Sequence, residues 1–256
     1  IDSILLQGAL IDGSGNRFSL NVESNAWAPG AETELTAKLK LESKSALQGG
    51  LSEFYSDLKL DLSQGAAGGF EELKLRSTTE GKDSAARSLL ALSQDLELSA
   101  QSEERSARLD FSFSLAMPQP EIFVPQLSAI RELKLTGEGS AQAVGEALTL
   151  EAADLRVLSE DVERITLVLK QSLIVGGEQK FVGNLLEAGV NELPLSWIQP
   201  WLGSGFELSG APFSAQFAVV GKPDGGMEIK AMAPVEWGPF SLAQSGRPLI
   251  DAITVR

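Results

Sequence analysis

Hydrophobic and polar residues alternate with a period of two along much of the chain. The clearest runs place Leu, Phe or another apolar residue at every second position, over residues 35–41, 109–117, 213–219 and 227–237. Successive side chains of a β-strand point to opposite faces, so each run predicts a strand with one apolar and one polar face. Strands with one wet face are typical of antiparallel sheets. The pattern therefore predicts an all-β protein built from long antiparallel strands.

A shorter pattern, an acidic residue followed by Leu-x-Leu, recurs at unequal spacings. It appears at 57–60, 72–75, 95–98, 132–135 and 192–195. Unequal spacing argues against a solenoid of fixed repeat length. Alternating strands with leucine on the inner face produce the same pattern without internal duplication, which is the interpretation that we favour.

Glycine- and proline-containing segments separate the runs, and helix is scarce. Lys222–Gly226 predicts the clearest hairpin. Val124–Arg131 and Ser196–Leu202 predict one or two short helices, the second capped by Ser196 and ended by Gly203. Ser84–Leu92 predicts either another short helix or the start of a strand. The expected architecture is a long curved antiparallel sheet, several such sheets, or a trough, with a closed sandwich or barrel as alternatives.

A proline-containing segment at Met117–Pro120 divides the 256 residues almost in half. It predicts two β-units, residues 1–117 and residues 118–256 with the short helix near 196–202, or else one continuous β domain. The chain begins at Ile1 and ends at Arg256 directly after an apolar run. We therefore expect it to be a piece of a longer protein.

The balance of charge excludes one class of partner. Asp and Glu number 35 against 21 Lys and Arg, for a formal net charge of −14. Such a chain repels phosphate backbones, so we expect no nucleic-acid partner. It also disfavours adsorption to an anionic membrane surface. No run of 18 apolar residues predicts a membrane-spanning helix, so a membrane anchor is expected only in segments outside this chain.

The chain has no histidine and no cysteine. The missing side chains are the usual general base near neutral pH, the thiol nucleophile and the commonest transition-metal ligands. Asp12–Asn16 with Glu23 imitates a calcium-loop spacing, but Arg17 occupies the position that requires glycine, so a tight hairpin is favoured. We therefore expect neither a metal nor a cofactor.

Carboxylate pairs could in principle hydrolyse glycosides without histidine or cysteine. Adjacent acids occur at Glu71–Glu72 and Glu103–Glu104, and a looser cluster spans residues 154–163. Neighbours in a strand point to opposite faces, so neither adjacent pair can flank one bond. Solvated charge is the favoured interpretation, and the chain is expected not to be an enzyme. A carbohydrate-active enzyme is the third hypothesis.

Several large apolar residues are candidates for lining a ligand site. Phe111 and Phe113 share a predicted strand face with two leucines, Phe213 and Phe217 share another, and two tryptophans lie four apart on the predicted helix. Such residues fill a core in most proteins. The alternative is that they line a site for an apolar ligand, because a long sheet with little helix must cover its dry face or hold a guest. The candidate lining consists of Leu109, Phe111, Phe113, Leu115, Trp197, Trp201, Phe213 and Phe217.

The segment Glu192–Leu202, followed by Gly203–Gly210 and a new alternating strand, resembles a recurring unit of the AsmA-like and TamB-like bacterial envelope proteins. Leu133–Ser140 resembles a second, poorer copy, and abundant Leu-x-Leu pairs extend the resemblance over most of the chain. The resemblance implies a protein anchored in the inner membrane and extending into the periplasm. It implies long antiparallel sheets curved into an apolar trough that holds or conducts phospholipids between two membranes, without catalytic residues.

The leading hypothesis is therefore non-enzymatic binding or conduction of a lipid or another hydrophobic ligand in the bacterial envelope. The expected location is the periplasm. The main alternative is a closed β-sandwich that serves as a structural or adhesive module of a surface protein. A filled core would favour the sandwich, and an open dry face would favour the lipid-handling hypothesis.

Overall fold

The computed structural model describes the chain from residue 4 to residue 255, with several gaps. The described ranges are 4–13, 15–25, 32–43, 50–64, 70–101, 106–145, 147–175, 181–203, 205–233, 235 and 237–255. Within them lie seventeen β-strands, and every strand pair whose register is resolved there is antiparallel. The prediction of an all-β fold with long antiparallel strands is confirmed.

The strands of the first half of the chain are β1 (Ile4–Ile11), β2 (Arg17–Ser24), β3 (Glu32–Glu42), β4 (Glu53–Gln64), β5 (Phe70–Lys82), β6 (Ser88–Gln101) and β7 (Ser106–Met117). Those that follow are β8 (Leu133–Val144), β9 (Ala147–Ser159), β10 (Val162–Leu169), β11 (Leu173–Val175), β12 (Gly183–Leu193), β13 (Phe206–Gly210), β14 (Phe213–Gly221), β15 (Met227–Ala231), β16 (Trp237–Gln244) and β17 (Arg247–Val255).

The chain forms two compact units. The first contains Ile1–Pro118, Thr136–Glu151 and Leu173–Gly177, and the second contains Gln119–Leu135, Ala152–Ser172 and Glu178–Arg256. The strands β8 and β9 therefore contribute residues to both units.

In the first unit, each strand from β1 to β7 pairs with the next along the chain. The register aligns leucine with leucine: Leu60 of β4 lies opposite Leu75 of β5, which lies opposite Leu96 of β6. Lys74 of β5 lies opposite Glu97 of β6 on the other face. The alternation in the sequence therefore becomes one apolar and one charged side across β3–β7.

In the second unit, β9, β10, β12, β14 and β15 pair in that order. Leu167 of β10 lies opposite Ala188 of β12, which lies opposite Phe217 of β14. A second ladder pairs β13 with β16 and β16 with β17. The register of both β10 and β12 shifts by a residue near one end, at Glu163/Ile165 and at Val190/Leu193.

One-turn 3₁₀ helices lie at Pro120–Ile122, Pro125–Leu127, Leu195–Trp197 and Gln199–Trp201. The predicted short helix near 196–202 is therefore two 3₁₀ turns, and Pro194, not Ser196, precedes the first. The sequence explains the break, since Pro200 has no amide hydrogen to continue a helical ladder. The argument that Trp197 and Trp201 share a helix face needs α-helical spacing, and it is wrong for 3₁₀ turns.

Two further segments test the sequence predictions, one that was left open between helix and strand and one that was predicted as a single strand. Ser84–Leu92 contains a turn followed by the start of β6, with the amide groups of Ala85 and Arg87 donating to Asp83 Oδ1 at 2.9 Å each. The run at 227–237 was predicted as one strand, but β15 ends at Ala231 and β16 begins at Trp237. Pro234 lies between them in the sequence, and proline cannot donate a ladder hydrogen bond.

Candidate functional site

The side of β3–β7 that carries the leucines continues beyond Leu39 with Leu41, Phe54, Gly81 and Leu90. Four cross-strand rows of five residues on this side make up the surface that we call the apolar face. From β3 to β7 the rows are Thr33, Leu62, Leu73, Leu98 and Leu109; Leu35, Leu60, Leu75, Leu96 and Phe111; Ala37, Leu58, Ser77, Gln94 and Phe113; and Leu39, Ser56, Thr79, Leu92 and Leu115. None of these positions holds a charged residue.

The apolar face is not sealed from solvent. Apart from Thr33, which is buried, and Gln94, which is exposed, each of its residues is partly exposed. Leucine and phenylalanine at the centre of a two-layer fold become fully buried, because a second layer covers them. The leucines of these four rows are only partly buried.

The accessible surface of the chain agrees with uncovered sheet. It measures 15716 Å² for a mass of 27.2 kDa. A compact monomer of this mass exposes about 11,000 Å², and two separate compact domains of half the mass expose about 13,000 Å² together. The chain exposes more surface than either value.

Four uncharged polar residues interrupt the apolar face near its centre. Ser56 Oγ and Thr79 Oγ1 lie 3.0 Å apart, and Ser77 Oγ donates a hydrogen bond of 3.2 Å to Gln94 Oε1. Ser77 and Thr79 are two positions apart on β5, so the two pairs adjoin each other. We call Ser56, Ser77, Thr79 and Gln94 the polar patch.

The opposite side of the same strands carries charged side chains, many of which form ion pairs. Lys74 Nζ lies 3.1 Å from Glu72 and 3.6 Å from Glu97, and a hydrogen bond from Lys74 lowers the pKa of Glu72. Hydrogen bonds raise the pKa of the lysine partners, as Glu72 does for Lys74 and Glu34 for Lys59. Exposed pairs of this kind stabilise a fold only slightly. They give this side a hydrated surface.

Four of the predicted lining residues, Leu109, Phe111, Phe113 and Leu115, lie together on the apolar face at β7. Phe113 also packs over the next strand, because a Cβ added at Gly137 of β8 would lie 2.4 Å from its ring. Phe113 therefore covers backbone as well as facing outward.

The other four predicted lining residues belong to the second unit. Phe217 lies in the apolar rows of β14, opposite Ala188 and Ala231. Phe213 meets Trp237 edge to face at 5.3 Å between ring centroids, and Trp237 stacks on Phe240 at 4.0 Å. These contacts make Phe213 part of an aromatic cluster that the alternation pattern could not reveal, since it joins two strands, β14 and β16.

Trp197 and Trp201 differ in exposure. Trp197 is partly exposed, whereas Trp201 is 66 % exposed, and the buried residue of these turns is Leu195, at 4 %. Leu195 therefore anchors the segment. Sequence reasoning missed Leu195, Trp237 and the polar patch; only cross-strand register could have identified the patch.

The concavities that the structure describes in the first unit lie mainly on the charged side, with Leu39, Leu58 and Ser77 of the apolar face also in their lining. In the first unit, one of about 520 Å³ lies beside Lys38, Lys40 and Tyr55, and one of about 230 Å³ lies beside Lys59 and Arg76. Both are lined mainly by residues of the charged side. Tyr55 donates a hydrogen bond of 2.6 Å to Asp57 Oδ2, which raises the pKa of the tyrosine.

A third concavity, of about 460 Å³, lies in the second unit beside Arg164. Arg164 is the extra residue at the register shift of β10, and its Nη1 donates a hydrogen bond of 2.8 Å to the carbonyl of Glu192. Asn191 Nδ2 donates to the carbonyl of Glu163 at 3.2 Å. These bonds replace ladder contacts where two β-bulges meet, so Arg164 has a structural role here.

Several of the carboxylates weighed for catalysis are paired with cations. Arg156 holds Asp154 through two hydrogen bonds of 3.0 and 2.8 Å, which lower the pKa of Asp154, and Arg156 also lies 3.8 Å from Glu163. Glu160 lies 3.9 Å from Arg131. Glu103 and Glu104 lie outside the described residues. A lowered pKa is the opposite of what a general acid requires.

The loop at Asp12 forms the tight turn between β1 and β2. Both carboxylate oxygens of Asp12 accept hydrogen bonds from Asn16, from its backbone amide and from its side-chain amide, each at 2.9 Å. Among the described residues, no group of three or more acidic side chains is placed to hold a metal ion.

Comparisons with family models, with curated proteins and with solved structures found no match. Within the described part of the chain, no helix is long and apolar enough to cross a membrane.

Proposed function

We propose that this protein binds or conducts lipid, or another hydrophobic ligand, without catalysis. The observation that carries the proposal is the partly exposed apolar face of β3–β7. Apolar surface left open to water is costly, and a contiguous patch of this kind marks a site of interaction. A hydrocarbon chain lying across the rows would remove that surface from water.

The free energy gained by burying one acyl chain is large enough to hold a lipid. Burying one CH₂ group contributes about 0.8 kcal/mol, so an acyl chain of about 16 carbons gains on the order of 10 kcal/mol on a dry surface. No charged clamp for a head group is needed at that value. The absence of charged residues from the four rows fits a ligand held by its hydrocarbon.

The charged side of β3–β7 fits the same role. Its ion-paired lysines and acids keep one side of the sheet hydrated, and the net charge of −14 opposes adsorption to anionic leaflets. Together, one hydrated and one apolar side allow the sheet to carry hydrocarbon through an aqueous compartment.

The proposed setting is the bacterial periplasm, in a larger protein anchored to the inner membrane by segments outside this chain. The resemblance of residues 192–210 to AsmA-like and TamB-like proteins supports this setting. That segment folds as two 3₁₀ turns followed by β13, in keeping with the short helix and strand start of the resembled unit. A sandwich module would bury its inner leucines, whereas those of the apolar face are partly exposed.

The test is native mass spectrometry of protein purified from bacterial envelopes, comparing wild type with Phe111→Asp. We expect the wild type to carry lipid and Phe111→Asp to lose it, because a carboxylate would be placed among the acyl contacts. Ser114→Asp is the matched control, since Ser114 lies on the same strand but on the charged side. It should keep the lipid.

Circular dichroism would establish that each variant retains its β-structure, and Leu75→Gln offers a milder change in an adjacent part of the face. Lipid-free wild-type protein, or equal lipid content in wild type, Phe111→Asp and Leu75→Gln, would overturn the proposal.

A further inference from the structure

The polar patch lies where hydrocarbon binding alone would favour leucine. Ser56 and Thr79 are flanked by Leu39 and Leu92 in their row, and Ser77 is flanked by Leu58. The row on one side of the patch holds only Leu and Phe at its five positions. The patch is therefore enclosed by apolar residues, and is not a polar end of the strands.

The patch has hydrogen-bonding capacity left over. One of the two hydroxyls of Ser56 and Thr79 donates to the other, which leaves the second hydroxyl hydrogen free to donate outward. Gln94 accepts from Ser77 through Oε1, and its Nε2 has no partner among the described residues. Gln94 is also exposed. The free donors therefore face the same space as the surrounding leucines.

These donors favour an uncharged hydrogen-bond acceptor as the ligand group. A charged ligand group has no counter-ion on the face, because the four rows contain no charged residue. An ester carbonyl is uncharged, accepts hydrogen bonds and is attached directly to hydrocarbon. It can meet the hydroxyl and amide donors while its acyl chain remains on the leucines.

We propose that the polar patch binds the ester carbonyl of an acyl lipid, so that the apolar face prefers ester-linked acyl chains to plain alkyl chains. This inference rests on the proposed lipid-binding function and names the ligand group that the site recognises. A role in sheet stability alone would predict no preference between ligands of equal chain length.

The experiment compares two soluble probes with a 16-carbon chain and a phosphocholine head group. Palmitoyl lysophosphatidylcholine has an ester, and the alkyl probe, its 1-O-hexadecyl analogue, has an ether in that place and is otherwise the same molecule, including the glycerol hydroxyl. Both are titrated below their micellar concentrations into wild type, Gln94→Leu and Ser77→Ala, with binding followed by calorimetry. We expect wild type to prefer the ester probe by about fivefold, the effect of one hydrogen bond.

Gln94→Leu should remove this preference while binding the alkyl probe at least as tightly as wild type. Ser77→Ala, a smaller change, should reduce it. Ser93→Leu is the matched control, because Ser93 adjoins Gln94 on β6 but lies on the charged side. It should leave the preference intact.

The outcomes separate the two proposals. Equal affinity of wild type for both probes would overturn the role of the polar patch and leave the proposed function standing. A preference that survives in Gln94→Leu and Ser77→Ala would also overturn it. Binding of neither probe by wild type would overturn both proposals.

Discussion

Phe113 illustrates how one side chain can serve both the fold and a surface. Its ring occupies the space that a Cβ of Gly137 would need, with ring atoms at 2.4 and 2.7 Å. The ring is also partly exposed on the apolar face. Substitution of Phe113 therefore changes strand packing as well as the candidate lining.

We predict that Gly137→Ala destabilises the protein by about 1 kcal/mol, because the ring of Phe113 must move to admit the new methyl group. In a Phe113→Leu background the same change should be neutral or slightly stabilising, since alanine loses less conformational entropy than glycine. Urea denaturation of the four proteins of this cycle measures the coupling. Equal effects of Gly137→Ala in both backgrounds would contradict the contact.

At the scale of single residues, the sequence could predict which side chains share a strand face but not what lies opposite. Phe111 and Phe113 were correctly assigned to one face with Leu109 and Leu115. The polar patch depends on Ser56 meeting Thr79 and Ser77 meeting Gln94. Those meetings are set by the register between strands, which period-two alternation within each strand does not specify.

At the scale of elements, the 3₁₀ turns near residue 195 depend on one leucine. Leu195 is 4 % exposed, and Trp201, six residues later, is 66 % exposed. We predict that Leu195→Ala costs about 3 kcal/mol, through lost burial and the cavity left behind. Trp201→Ala should change stability by less than about 0.5 kcal/mol. Thermal unfolding compares them, and a larger effect at Trp201 would contradict this assignment.

The paired bulges of β10 and β12 make a second element-scale prediction. Arg164→Met should destabilise the protein by about 1–2 kcal/mol, because the carbonyl of Glu192 loses a charged donor at 2.8 Å. Arg131→Met is the control, since Arg131 is 88 % exposed and lies 3.9 Å from Glu160. It should have almost no effect. Denaturant midpoints that fall equally for both variants would show that the bulge contact is unimportant.

Strands were predictable where alternation is unbroken, as in β3, β7 and β14. The repeated acidic-Leu-x-Leu pattern is explained by Leu60, Leu75 and Leu96, which lie opposite one another in adjacent strands. The errors fall where proline interrupts a run. Pro200 breaks the expected helix, because proline lacks the amide hydrogen that the helical ladder needs, and Pro234 lies in the sequence between β15 and β16.

At the scale of the whole molecule, paired carboxylates predict loss of stability in acid. Hydrogen bonds from lysine or arginine side chains lower the pKa of Glu42, Glu72, Asp154, Glu187 and Glu228, and the backbone amide of Arg87 lowers that of Asp83. Because the pKa values of these groups in the folded state lie below the ordinary 4.5 for Glu and 3.8 for Asp, their ionised forms stabilise the fold at higher pH. That stability disappears as pH falls through the lowered pKa values.

We therefore expect the urea midpoint to stay level from pH 7 to about pH 5 and to fall below about pH 4.5. Glu72→Gln should lower stability at neutral pH and show a shallower decline. The opposing effect is relief of repulsion as the net charge of −14 is neutralised. Stability that rises between pH 5 and pH 3 would show that repulsion outweighs the pairs.

The unbroken succession from β1 to β7, in which every strand pairs with the one that follows it, also bears on how the protein is made. Each hairpin closes a short loop, so contact order in this stretch is low and little chain entropy opposes each addition. During synthesis, the sheet formed by β1–β7 can therefore grow by one strand at a time as the chain leaves the ribosome. A substitution that destabilises one hairpin would then destabilise mainly the strands next to it, as in repeat proteins, where each unit contacts only its neighbours.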